Sequence, residues 1–310
     1  MITGAICMSH SPLIDRNRAA PDVERRFWEG VDHAAKLVAE MKPDLTIVFH
    51  PDHVNGFFYK LLPPFCLGVE ATSIGDFGTV SGKMNVPEKA ALSCAEHVLH
   101  DGVDLAISYR MEVDHGATQP LELVSTDYPL ASMIPIFVNC AAPPRPTFAR
   151  VRALGRAVGR WAAARPERIL FLASGGLSHD PPIPALATAT GAVRERLIEG
   201  GPMLHWQRMA RQNRLYVEGA RMAAGASDLL AVDPKWDNDL LDAFRAGNLS
   251  VLDDVSDDEL TATGGRGGHE VRCWVAALAA LPAGYRAETL AYEAVSEWVT
   301  GMGILAARPA

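Results

Sequence analysis

No segment of the 310-residue chain is apolar for long enough to span a bilayer. A membrane helix takes about 20 apolar residues in succession, and the best candidate, residues 273–281, stops at Pro282. The amino terminus, Met1-Ile2-Thr3-Gly4, lacks the basic segment and apolar core of a secretory signal, so a cytoplasmic protein is expected. Positive charge is also in short supply. Against 37 Asp and Glu stand 29 Lys and Arg, which leaves a net charge of −8. A chain of that sign lacks the cationic footprint that phosphate contacts demand, which argues against nucleic-acid binding. Cysteine is scarce. The five (Cys7, Cys66, Cys94, Cys140 and Cys273) are odd in number, scattered and free of any C-x-x-C pair. Buried reduced thiols are expected, not a disulfide framework. No long polar or Pro- and Ser-rich stretch marks a linker, and no fixed period marks a repeat.

What the chain does have is apolar mass, 48% of its residues. That suffices to offset the ordering entropy that keeps polar chains unfolded. Near 300 residues, roughly three quarters of the unfolded surface can be buried without a disulfide or structural metal. Apolar β-prone runs at 2–7, 45–49, 105–109, 134–138 and 169–173 alternate with helical patterns at 21–42, 88–100 and 148–164. In the first helix Val23, Phe27, Val31, Ala34, Ala35, Val38 and Met41 recur at helical spacing. From about 185 to 281 the pattern is helical, broken at Gly200-Gly201-Pro202, Asp233-Pro234 and Gly264-Gly265. The rhythm predicts an α/β fold, a single domain over 1–310 with a mixed β-sheet flanked by helices.

Open α/β sheets gather ligands beyond the carboxyl ends of their strands. Four predicted strands lead into segments that carry histidine: Ser9-His10-Ser11-Pro12, His50-Pro51-Asp52-His53, Met111-Glu112-Val113-Asp114-His115-Gly116 and Ser174-Gly175-Gly176-Leu177-Ser178-His179-Asp180. Five of the ten histidines (His10, His50, His53, His115 and His179) sit there. One loop histidine is ordinarily a solvated side chain; four loops sharing the feature point to a joint site. His33, His97 and His100 on predicted helices, and His205 beside Trp206, read as structural. Imidazole is both the commonest metal ligand and the natural acid/base near neutral pH. Two imidazoles and one carboxylate leave open positions suited to non-haem Fe(II). The carboxylate could be Asp52, Asp114 or Asp180, or Glu270 after the glycines of 264–268. A first-turn glutamate that complements a helix dipole is the plainer reading of Glu270.

Other motifs carry less. His50-x-x-His53 has a zinc-like spacing, but no second pair completes it. Ser174-Gly-Gly-Leu-Ser178-His179 is not a G-x-S-x-G elbow, and it lacks the full dinucleotide fingerprint. Phe57-Phe58-Tyr59 reads as core packing or as a pocket wall.

Together, Ser9-His10-Ser11-Pro12, the run from Pro51-Asp52-His53 to Tyr59, Pro63-Pro64-Phe65-Cys66-Leu67-Gly68, Gly75-Asp76-Phe77-Gly78, Val113-Asp114-His115-Gly116 and Gly175-Gly176-Leu177-Ser178-His179 resemble the class III extradiol dioxygenases. The resemblance runs on through Trp236-Asp237-Asn238 and His269-Glu270 to Glu297-Trp298. It implies Fe(II) held by His10, His53 and Glu270, an acid/base pair at His115 and His179, and His50 as a neighbour only. It implies cleavage of a catechol ring beside its two hydroxyls, with O2 as co-substrate. His179 would accept a hydroxyl proton and His115 would donate one as the ring opens. Within the family the chain is similar to enzymes for 3-(2,3-dihydroxyphenyl)propionate and 2,3-dihydroxycinnamate in phenylpropionate and cinnamate catabolism, and a homo-oligomer is implied. Asp114 either orients His115 or caps a turn. The substrate would be an anion, so a −8 chain needs a local cation. Arg266, four residues before Glu270, is the candidate; an exposed surface arginine is the plainer reading. An extradiol enzyme for another catechol, a zinc hydrolase on the same loops and a metal-free binding protein are the alternatives.

Overall fold

The computed structural model describes residues 1–201 and 203–310. In chain order its elements are β1 (Ile2–Met8), α1 (Pro21–Met41), β2 (Leu45–His50), β3 (Phe65–Gly68), β4 (Ala71–Ile74), β5 (Ser81–Lys83), α2 (Glu88–His100), β6 (Ala106–Ser108), β7 (Met111–Val113), α3 (His115–Val124), β8 (Met133–Val138), α4 (Phe148–Ala163), β9 (Ile169–Ser174), α5 (Gly191–Glu199), α6 (His205–Ala223), α7 (Pro234–Arg245), α8 (Asp257–Gly264), α9 (Val271–Ala279), β10 (Arg286–Val295) and β11 (Thr300–Arg308). Eight strands form one mixed sheet in the order β10-β11-β1-β9-β2-β8-β3-β6. A second sheet, β5-β4-β7, lies beside it in the chain order between β3 and α3 and was not expected from the sequence.

The layering follows from the strand sequences. Successive strand side chains point to opposite faces. Ala5, Cys7, Ile47, Phe49 and Phe171 enter one core with α2, α4 and α9. Ile6, Met8, Val48, Leu170 and Leu172 enter the other with α1 and Trp298. With both faces covered, most positions are apolar, and the strands read as nearly continuous runs. Local chemistry sets the helix ends. Pro21 opens α1, where a missing N–H does no harm. Lys42 closes it in the left-handed region, with its N–H donating to the Val38 carbonyl.

Two expectations change, and one element is not foreseen. The strand at 105–109 shrinks to β6, and the segment beyond it is no loop: it is β7, followed directly by α3, whose first residue is His115. The β10–β11 hairpin was not legible, because Gly301 and Gly303 interrupt the apolar run of β11. A side chain at Gly303 would meet Leu177 at 2.7 Å, so the glycine marks close packing and not a turn. The breaks at Asp233-Pro234 and Gly264-Gly265 fall at the start of α7 and the end of α8. Pro202, in the remaining break, lies outside the described residues. No helix among the described residues is long and apolar enough to cross a membrane.

β1, β9 and β2 are parallel neighbours, with Met8 paired to Ser174 and Phe49 to Ala173. Their carboxyl ends therefore finish level and side by side. β11 is antiparallel to β1, so it begins at that same end and brings residues 298–300 to it.

Candidate active site

Each strand exit is fixed by its own hydrogen bonds. After β1, Ser9 Oγ donates to the Gly301 carbonyl (2.9 Å) and Ser11 Oγ to the Trp298 carbonyl (2.8 Å), which ties the His10 segment to β11. After β2, Asp52 accepts backbone N–H bonds from Asn55, Gly56 and Phe57 at 3.0, 2.9 and 3.2 Å, closing the turn that presents His53. After β9, Gly175 sits at φ +153°, and a side chain there would strike Glu270 Cβ at 2.7 Å. The next N–H, from Gly176, donates to Glu270 Oε2 at 3.0 Å, so the strand exit holds the carboxylate directly.

The result is a buried cluster. His53 stacks on His115 with centroids 4.4 Å apart, and His10 stands edge-on to both, at 5.2 and 5.4 Å. One ring nitrogen from each of these three lies within 4.8 Å of the others. Glu270 Oε1 is 3.2 Å from His53 Nε2 and 3.5 Å from His179 Nε2. The four segments singled out in the sequence thus converge, and Glu270 joins them from the turn ahead of α9.

This donor set can hold a metal ion. A metal-binding histidine characteristically donates its other ring N–H to an oxygen acceptor that sets its orientation. His53 Nδ1 faces Asp114 Oδ2 at 3.1 Å, and His10 Nδ1 faces Ser174 Oγ at 3.0 Å. In both rings Nε2 is left for ligation. Burial pushes the His10 pKa down to about 3, so the ring is neutral and one nitrogen lone pair is free at neutral pH. Burial opposes the Glu270 charge, but His179, His53 and His10 outweigh it and hold the carboxyl well below its usual range. Burial likewise opposes a proton on His53, yet Asp114 and Glu270 raise its pKa well above the usual value. A cation between those carboxylates would take that proton's place.

The other candidates fall elsewhere. Asp180 pairs with Arg266, whose Nε donates to Oδ1 at 2.5 Å, while Arg266 Nη1 donates to the Ile183 carbonyl. Arg266 therefore braces a loop and does not line the cavity, which corrects the expectation that it receives a substrate carboxylate. Among the described residues, the arginine on that cavity wall is Arg211 of α6. His269 accepts from Arg272 and bonds Thr261, outside the cluster. Phe57 packs face to face on Phe137 at 3.8 Å, as core, whereas Phe58 lines a neighbouring cavity.

Asp114 takes both a capping and an orienting role, but it does not orient His115. Its Oδ1 accepts from the Gly116 N–H and caps α3. Its Oδ2 accepts from His53 N, His53 Nδ1 and Asn55 Nδ2. The partner of His115 is Asp76, which accepts its backbone N–H at 2.8 Å and faces Nδ1 at 2.6 Å. The Gly75-Asp76-Phe77-Gly78 motif contains Asp76 but does not reveal this role, because the pair lies 39 residues apart and only Gly75, at φ +64°, hints at a special turn. Asp76→Asn keeps the shape but loses the anionic acceptor. It is expected to lower kcat by about 10- to 100-fold with KM little changed, the scale of lost orienting partners. Steady-state kinetics checks this, and an unchanged kcat would dismiss the pairing.

His50 is buried apart from the cluster. Its Nδ1 donates to the Pro51 carbonyl at 2.9 Å, and Nε2 has no partner among the described residues. Burial pushes its pKa down to about 4. The unfolded chain takes up this proton below about 6.5, while the folded chain stays neutral to about 4. Stability is therefore lost as pH falls through that window. His50→Phe is expected to lose about 2 kcal/mol less than wild type between pH 8 and 5. Urea midpoints at the two pH values check it; parallel losses would count against it.

A model of the catalytic LigB subunit of aromatic ring-opening dioxygenases matches residues 4–303. A Rhodococcus protein named 2,3-dihydroxyphenylpropionate/2,3-dihydroxicinnamic acid 1,2-dioxygenase is 45% identical over 306 residues, spanning 98% of either chain. Proteins of the same name from Mycolicibacterium smegmatis and Escherichia coli are 43% and 42% identical over 305 residues, spanning 98% and 97% of this chain and 97% of each relative. The crystal structure of an uncharacterized protein from Escherichia coli K12 superposes over 98% of this chain and 99% of its own with a TM-score of 0.50. At 14% identity that likeness speaks for the fold alone. The chain belongs to the LigB family of aromatic ring-opening dioxygenases and is an extradiol ring-opening enzyme.

Proposed function

We propose that residues 1–310 form one catalytic domain that opens the ring of 3-(2,3-dihydroxyphenyl)propionate or 2,3-dihydroxycinnamate with O2, using Fe(II) held by His10, His53 and Glu270. The observation that carries this reading is the meeting of Glu270 with His53 and His179 at the level ends of β1, β9 and β2. The relatives named for these two substrates support the choice of catechol. When bound, the ion supplies open positions for the catechol oxygens and O2 and lowers the hydroxyl pKa.

The chain's own groups handle the protons. His179 Nδ1–H donates to the Leu177 carbonyl at 2.9 Å, which leaves Nε2 as the acceptor facing the cavity. Burial opposes a charge there, but Glu270 overcomes it and raises the His179 pKa, as suits a base for a catechol hydroxyl. Across the cavity, Asp76 fixes His115 through Nδ1, so Nε2 is the nitrogen that passes a proton to the opening ring. Asp237 steadies the base from behind: it accepts from Ser178 N (2.6 Å), Ser178 Oγ (2.9 Å) and Tyr292 OH (2.7 Å). Leu13, Phe77, Pro181, Leu215 and Trp298 give the cavity an apolar wall that suits the carbons of an aromatic ring.

The same reading makes the enzyme cytoplasmic and homo-oligomeric. The exposed Leu204, Trp206, Met209 and Val217 of the α6 region support a contact between copies, which sedimentation checks. Metal exchange tests the catalytic reading. Metal-free protein loaded anaerobically with Fe(II) is expected to give ring-opened product when catechol and oxygen are admitted, and Zn(II)-loaded protein none. Equal activity with zinc, or activity that ignores oxygen, would overturn it.

A further inference from the structure

The cavity that holds the histidines is mostly apolar, yet it has a cation in its wall. Among the described residues that line it, Arg211 is the only arginine or lysine. Its Nη1 donates to Asn55 Oδ1 at 3.1 Å and its Nη2 to the His53 carbonyl at 2.5 Å. Both partners are neutral. Among the described residues no carboxylate forms an ion pair with it: Asp114 is taken by His53 and Asn55, Asp76 by His115, and Asp52 by three backbone N–H groups. A guanidinium stays charged and offers five donors, of which the protein uses few here. A part-buried charge without a counter-ion is unfavourable until an anion arrives. Burial in fact pushes its pKa down, with those three carboxylates only partly offsetting this.

The surroundings point the same way. Arg211 stands where the active-site cavity meets a second cavity lined by Arg196 and Arg208, and a third carries Arg214. In a chain of net charge −8 this end of α5 and α6 concentrates positive charge around the approach to the histidines. Such a patch raises the local concentration of an anionic substrate. Pro182, Ile183 and Leu215 line the same cavity as Arg211 and the histidines, an apolar wall that suits a short hydrocarbon arm.

We infer that Arg211 receives the side-chain carboxylate of the catechol and so sets the preference for carboxylated over neutral catechols. The inference rests on the function proposed above and names the residue behind its substrate choice. Arg211 is a specificity-determining residue, and the fork geometry of guanidinium and carboxylate allows two parallel bonds.

Arg211 also supports the His53 carbonyl, so its test must separate recognition from support. The readout is a ratio of kcat/KM between 3-(2,3-dihydroxyphenyl)propionate and its primary amide. Wild type is expected to favour the acid by about 30- to 100-fold, the scale of a charge-assisted pair. In Arg211→Met the ratio is expected to fall to within about threefold, through KM, while Arg211→Lys keeps part of it. If Arg211→Met lowers acid and amide by one factor and leaves the ratio intact, Arg211 is only a strut for His53, and the inference is overturned. Binding of 3-phenylpropionate, followed by titration calorimetry, reads the anion site without turnover. Wild type should bind it and Arg211→Met should bind at least about tenfold more weakly. Equal binding would also overturn the inference. Wild type that binds 3-phenylpropionate through Arg211 but opens no catechol would leave the anion site standing and remove the catalytic reading instead.

Discussion

Glu270→Gln is expected to lose ring-opening activity by at least about 10³-fold and to lose its metal with it. Losing a metal's polarising action removes several kcal/mol of transition-state stabilisation, and about 4 kcal/mol is a factor of about 10³. The structure gives the substitution a specific failure. Glu270 Oε2 accepts the Gly176 N–H, a bond the amide oxygen of glutamine can keep. The other atom of the new amide is then a neutral –NH2 aimed at His53 and His179, 3.2 and 3.5 Å away, where an anion stood. Shape is preserved and charge is not. Metal content by elemental analysis and oxygen uptake check it together. A variant that keeps both its iron and its turnover would remove Glu270 from the ligand set.

Gly267→Ala is expected to match His179→Gln, each lowering kcat by about 10²–10⁴ while iron stays bound. Gly267 lies at φ −79°, ψ −25°, so alanine suits its backbone. The damage is one of space: the new methyl would sit 2.0 Å from His179 Nε2 and 2.1 Å from Cδ2. The imidazole must leave its place, and its hydrogen bond to Leu177 and its approach to Glu270 go with it. Since His179 is proposed as base and not as ligand, metal content separates this outcome from that of Glu270→Gln. Wild-type kcat in Gly267→Ala would show that the ring does not act from that position. Loss of iron in both variants would make His179 a ligand.

The parts of this site that were legible in the sequence share one origin. His10, His53 and His179 each follow a strand buried on both faces, and such strands are nearly continuous apolar runs that announce their own ends. His115 was legible for a weaker reason, since it opens a helix after a short strand of the second sheet and not a loop of the main one. Glu270 follows no strand. Its place depends on α9 packing against the sheet, a tertiary fact that spacing does not carry: the glycines before it make it one candidate among four carboxylates, and family resemblance singles it out. Asp76 was missed because its partner is fixed by where a turn lands, far along the chain. Arg266 and Arg211 make the contrast sharpest. Arg266 stands four residues from Glu270 in the sequence, yet it is spent on Asp180. Arg211 lies on a helix whose pattern shows which face is polar but not what that face meets.

The most direct measurement is oxygen uptake by protein loaded anaerobically with Fe(II), on addition of 3-(2,3-dihydroxyphenyl)propionate. The account expects one O2 consumed per catechol, with a yellow ring-opened product appearing in step. No uptake, or uptake that leaves the ring intact, would contradict it.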